Sequence, residues 1–125
     1  MSPQRIHELA ESWASAQLSG PNEDHWHVIY TVQDLTTSDP EALWSFVLAV
    51  LRLAPHEQVL GMLAAGPLED LIQDHGSAFI NRVAAEAGSN KNFAALLPKV
   101  WVRASNDPVT QRFVQLGCDQ VRVAG

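Results

Sequence analysis

Glu69, Asp70, Asp74 and His75 are the residues of this chain best suited to proton transfer, because an imidazole oriented by a carboxylate can work as a general base. Their spacing on a helix opposes that use. Asp74 is adjacent to His75 and projects to a different side, while Asp70 lies five residues away, off the three- and four-residue spacing that lets side chains meet. A structural role accounts for the acids more simply. Glu69 and Asp70 fall in the first turn after Pro67, where carboxylates complement the positive end of the helix dipole and accept unpaired backbone N–H groups. No catalytic residue is therefore assigned, and Glu69, Asp70 and His75 stand as a candidate functional polar cluster.

A second group, Glu23-Asp24-His25-Trp26-His27, has the donor types that bind a divalent transition metal. On a helix, however, His25 and His27 diverge by about 200°, so they would share an ion only in extended or irregular backbone. No metal site and no cofactor are expected. The nucleophile-elbow, Walker, dinucleotide and His-Glu-x-x-His patterns are also missing, which lowers the expectation of an enzyme. Cys118, the single cysteine, excludes an internal disulfide and reads as a structural thiol.

The net charge of −6 is unevenly distributed. Residues 1–62 carry Arg5 and Arg52 against Glu8, Glu11, Glu23, Asp24, Asp34, Asp39, Glu41 and Glu57, while basic and acidic residues balance in 63–125. Such a field disfavours a nucleic-acid backbone and favours a basic protein surface. Of the four tryptophans, Trp13, Trp44 and Trp101 fall on apolar stripes and read as core. Trp26 lies in the most acidic stretch, where it would suit an arginine-rich partner. Glu23, Asp24, Trp26, Asp34, Asp39 and Glu41 are accordingly the candidate partner-binding residues, with the rival reading that the acids only keep a small domain soluble.

The elements that must position these residues read as helices. Six of the seven prolines stand where helices start, and Ser2, Asp39 and Asp107 precede prolines as N-cap types. Apolar spacing predicts helices over about 3–18 (Ile6, Leu9, Ala10, Trp13, with Gln17), 22–35, 40–53, 56–65, 67–75, from Ser77 to Gly88, from Asn90 through Trp101, and from Pro108. Residues 26–32 are β-branched and aromatic enough for a strand, although a helix sharing Trp26, Ile29, Tyr30 and Leu35 is preferred. Ser38 and Glu41 suit a capping box at the third helix, whose run Leu43–Leu51 is apolar nearly all round and marks it as central. Gly66 is expected to close one helix and Pro67 to open the next. Pro98 should bend or restart the seventh, and the last residues read as a short tail, extended at most. The expected fold is all-α: a single domain over 1–125, of seven or eight short helices in an irregular bundle or short HEAT-like solenoid.

No apolar run approaches the roughly 20 residues of a membrane span, and the first residues do not resemble a secretory signal, so a cytoplasmic location is expected. Residues 63–101, with Leu-Ala-Ala-Gly-Pro-Leu-Glu-Asp-Leu-Ile, His75-Gly76, Phe79-Ile80, Phe93, Leu96-Leu97 and Val100-Trp101, resemble an uncharacterised family of small bacterial proteins, a domain of unknown function. The similarity extends upstream through Asp39-Pro40-Glu41 and Trp44, and Ala-Gly-Pro-Leu-Glu-Asp is its most specific part. The resemblance implies that Glu69, Asp70 and His75 fall on recurring polar positions, and Pro98 departs from its pattern. It supplies no reaction and no ligand. From the acidic half and the missing motifs, the expected function is protein binding, in the form of an immunity protein that occludes a basic, nuclease-like toxin. A structural or homo-oligomeric module and a metal-dependent hydrolase built on Glu69, Asp70 and His75 are the alternatives.

Overall fold

A computed structural model describes residues 2–19, 23–53, 55–103 and 105–122, with the backbone alone at 23–25 and 122. The fold is all-α, with one sheet of two short strands among the described residues. The chain divides into two compact units, Met1–Leu63 and Ala64–Gly125. Among the described residues no helix is long and apolar enough to cross a membrane.

The first unit packs α1 (Pro3–Ser19), α2 (Glu23–Ser38), α3 (Pro40–Arg52) and α4 (Glu57–Leu63). Helix α3 is central, as its sequence requires: Leu43, Phe46, Val47 and Val50 have no exposed surface, and the helix meets α1, α2 and α4. Against it α1 lays the predicted stripe of Ile6, Leu9, Ala10 and Trp13, with the Trp13 ring edge-on to Phe46 at 5.6 Å. Gln17 lies at the half-buried margin of that stripe, its carbonyl accepting from Gln58 Nε2 at 3.2 Å. Residues 26–32 are helical, so packing overrides their β-propensity. Their buried face differs from the expected one: Val32, Leu35 and Thr36 turn inward, while Trp26 and Tyr30 are 48% and 57% exposed. The cap of α3 also differs. Asp39 accepts from the Ala42 N–H at 3.1 Å, and Ser38, still inside α2, donates to the Asp34 carbonyl.

The second unit begins with a π-helical turn, Ala64–Leu68, that passes directly into α5 (Glu69–Ser89). Gly66 and Pro67 therefore do not separate two helices. Proline lacks the N–H of an i→i−4 bond and its ring crowds the carbonyl four residues back, and a widened turn relieves both problems. Gly66 lacks the Cβ that would disfavour a helical residue before proline. The expected break after residue 75 survives as a kink: His75 has φ −134° and ψ 25° inside α5, and Ser77 continues the helix instead of opening a new one.

Gly88 does not end α5, because the helix runs to Ser89 and extended Asn90 stops it. Among the described glycines only Gly117 has a positive φ, at 130°, and a Cβ on Gly88 would meet nothing within 4 Å. Gly88→Ala should therefore raise stability by about 0.5–1 kcal/mol, read from chemical denaturation. A loss of stability would show that the helix end does need glycine.

Asn90 caps the short α6 (Lys91–Ala94) by accepting from the Asn92 and Phe93 N–H groups, as its residue type suggests. The expected helix through Trp101 does not form. Pro98 sits in a 3₁₀ turn, Leu97–Lys99, after which the chain straightens into β1 (Trp101–Arg103). Helix α7 (Pro108–Leu116) then returns to β2 (Gln120–Arg122), which pairs parallel to β1 in the register Val102↔Val121. Val121 and Arg122, the first residues of the expected tail, thus lie in the second strand of a miniature β-α-β crossover, and residues 123–125 lie outside the described residues. Trp13 and Trp44 are core as expected, but Trp101 is 37% exposed on β1.

Candidate functional site

In the first unit the chemistry-bearing surface is the outer side of α2. Trp26 and Tyr30 are one helical turn apart, stacked with ring centroids at 6.0 Å and planes inclined by 27°. Asp34, exposed, continues the same row at the next four-residue step. Sequence spacing groups Tyr30 with Trp26, Ile29 and Leu35 on one helical face and does not single it out as a site residue. The signal that would have found it is its position four residues after Trp26. Asp39 is half-buried and spent on the α3 cap, whereas Glu41 is exposed in the first turn of α3. The side chains of Glu23 and Asp24, and that of His25, lie outside the described residues.

In the second unit, Glu69 and Asp70 open α5 but face different tasks. Glu69 is buried, 8% exposed, and its Oε1 accepts the Trp101 backbone N–H at 2.7 Å. One residue on, Asp70 has its carboxyl pushed above the ordinary range, first by burial and then by the charges of Asp74 and Glu69. His75 occupies the kink, half-buried. The cluster is thus split: Glu69 ties α5 to β1, Asp70 and Asp74 are electrostatic neighbours, and His75 marks the bend.

Beside this cluster lies a cleft of about 340 Å³. Ile72, Val102, Val109 and Phe113 supply its apolar surface, and Gln73, Asp74, Ser77, Arg103, Ser105, Asp107 and Thr110 its polar one. The walls are braced. Gln73 Nε2 donates to the Trp101 carbonyl at 3.4 Å, Arg112 donates to Asn81 at 2.8 Å across α7 and α5, and Asp107 caps α7 through the Val109 N–H at 2.7 Å. At Gly76 an added Cβ would stand 3.0 Å from the Phe113 ring, so glycine at the kink lets α7 approach α5 closely. Sequence reading missed Arg103, Ser105 and Thr110 as site residues, because the cleft exists only once 97–103 leaves the helical path.

Cys118 is fully buried, and burial followed by the charge of Asp119 pushes its thiol up to about 12, which suits packing and not nucleophilic attack. Among the described residues no three His, Cys, Asp or Glu side chains gather as a metal site. Comparison with curated proteins and with solved structures returns no match. The model of a family of unknown function, DUF6869, matches residues 14–120. That match takes in well over half of the chain, and the chain therefore belongs to the DUF6869 family.

Proposed function

We propose that the chain is a protein-binding module that acts in the cytoplasm by docking a basic protein through the outer face of α2. The observation that carries this reading is the stacked, solvent-facing Trp26–Tyr30 pair in the half of the sequence that holds the whole acidic excess. Aromatic faces attract guanidinium and ammonium groups, and large exposed aromatics are the commonest anchors of protein interfaces. Asp34 and Glu41 would add attraction for lysine and arginine and speed encounter at low salt. A bacterial immunity protein that covers the phosphate-binding surface of a nuclease-like toxin is the form of this function that fits an acidic occluding face.

The test isolates a bound protein at low salt, identifies it, and measures binding with both purified partners. Association should slow with added salt, and Trp26→Ala should weaken the complex by about thirtyfold, the size of an interface hot spot. A partner whose affinity ignores both salt and Trp26→Ala would overturn the reading, as would a stable self-assembly that buries Trp26, detected by light scattering and quenching.

A further inference from the structure

We infer that the cleft of the second unit is a binding site for a small zwitterion, an apolar α-amino acid, with the carboxylate on Arg103 and the ammonium on Asp74. Arg103 and Asp74 line the same cleft, yet among the described residues the two close no ion pair with each other or with any other side chain. A cation and an anion that line one concave surface without pairing fit a ligand that carries both opposite charges. Ser77 and Thr110 add hydroxyls that donate or accept, and Val102 and Phe113, nearly fully buried themselves, give an apolar floor for an aliphatic or aromatic side chain.

The volume, about 340 Å³, falls at the small end of ligand cavities and fits a single amino acid better than a nucleotide. The cleft is also formed in advance. Its walls are pinned by the Glu69–Trp101 and Arg112–Asn81 bonds and by the close Gly76–Phe113 approach, so little ordering is left for the ligand to drive. This site lies within the second unit and is independent of the α2 face.

The test is a titration of the full ¹⁵N-labelled chain with leucine, methionine and phenylalanine at neutral pH and constant ionic strength, followed by amide resonances. At least one of them should move the Ser77, Arg103 and Thr110 signals with a Kd of about 1 mM or better, while Trp26→Ala leaves that binding unchanged. The N-acetyl and the amide forms of the same amino acid should each bind roughly tenfold or more weakly, since each removes one charge-assisted contact. In Arg103→Gln the free amino acid and its amide should bind alike. The inference is overturned if none of the three shifts those signals at about 10 mM, if the shifts map elsewhere, or if the blocked forms bind equally. The blocked-form comparison uses the unaltered chain, so it decides even where a variant fails to fold.

Discussion

Phe46→Ala should cost about 3–5 kcal/mol of folding stability, a large part of the roughly 5–15 kcal/mol that holds a domain of this kind together. Phe46 has no exposed surface and lies on α3, the helix that α1, α2 and α4 all pack against. Truncation leaves a cavity that the neighbouring helices can close only by moving together, and it removes the edge-on contact with Trp13. The aromatic pair alone accounts for about 0.5–1.5 kcal/mol beyond the area buried. Urea unfolding followed by helical circular dichroism measures the loss. Phe46→Leu, which keeps most of the volume, should cost less than half as much. A loss under about 1.5 kcal/mol for Phe46→Ala would mean that α3 is not the centre of the first unit's core.

Helix α3 was legible because a run from Leu43 to Leu51 that is apolar nearly all round, with only Ser45 polar, calls for neighbours on most sides. The α1 stripe and the caps at Asn90 and Asp107 were legible for a related reason: each depends on residues within one or two turns of one another. Failure came where a distant partner decides. Pro98 announced a disturbance, but the conversion of 101–103 into a strand depends on β2, seventeen or more residues later, and on Glu69, thirty-two residues earlier. Nothing local in Val100-Trp101-Val102 distinguishes a strand from the helical spacing it also satisfies.

The Gly66–Pro67 pair misled in a different way. Each residue has a strong single-position meaning, end and start, yet together they also satisfy a turn that widens without stopping. The candidate sites divide along the same line. On α2 the exposure of Trp26 was suggested by its acidic surroundings, but that of Tyr30 was not, because the apolar spacing of 26–35 did not show which side of the helix would be buried. The cleft was not legible, because its walls come from α5, β1 and α7, and only the hinge at His75-Gly76 left a local trace.

Glu69→Ala should cost about 1.5–3 kcal/mol and should act at a distance in sequence, on Trp101. The wild-type carboxylate accepts the Trp101 N–H at 2.7 Å, a short, charge-assisted bond between the start of α5 and the start of β1. Alanine leaves that N–H without its acceptor and leaves a space where a buried side chain stood. Two different roles for Glu69 predict different outcomes. If the residue serves only the first turn of α5 as a dipole partner, Glu69→Ala costs about 0.3–1 kcal/mol and the Trp101 amide keeps its protection against hydrogen exchange. If it anchors β1, the loss is several times greater and exchange at Trp101 accelerates first, ahead of the core of α5 at Leu71 and Val83, which stays buried. Glu69→Gln keeps a carbonyl oxygen of the same reach and should recover a good part of both effects, because it gives up the charge but not the acceptor. The same anchoring forms one wall of the cleft, since Gln73, one turn further along α5, holds the Trp101 carbonyl. Protection at Trp101 thus reports whether the strand that carries Arg103 is still in place.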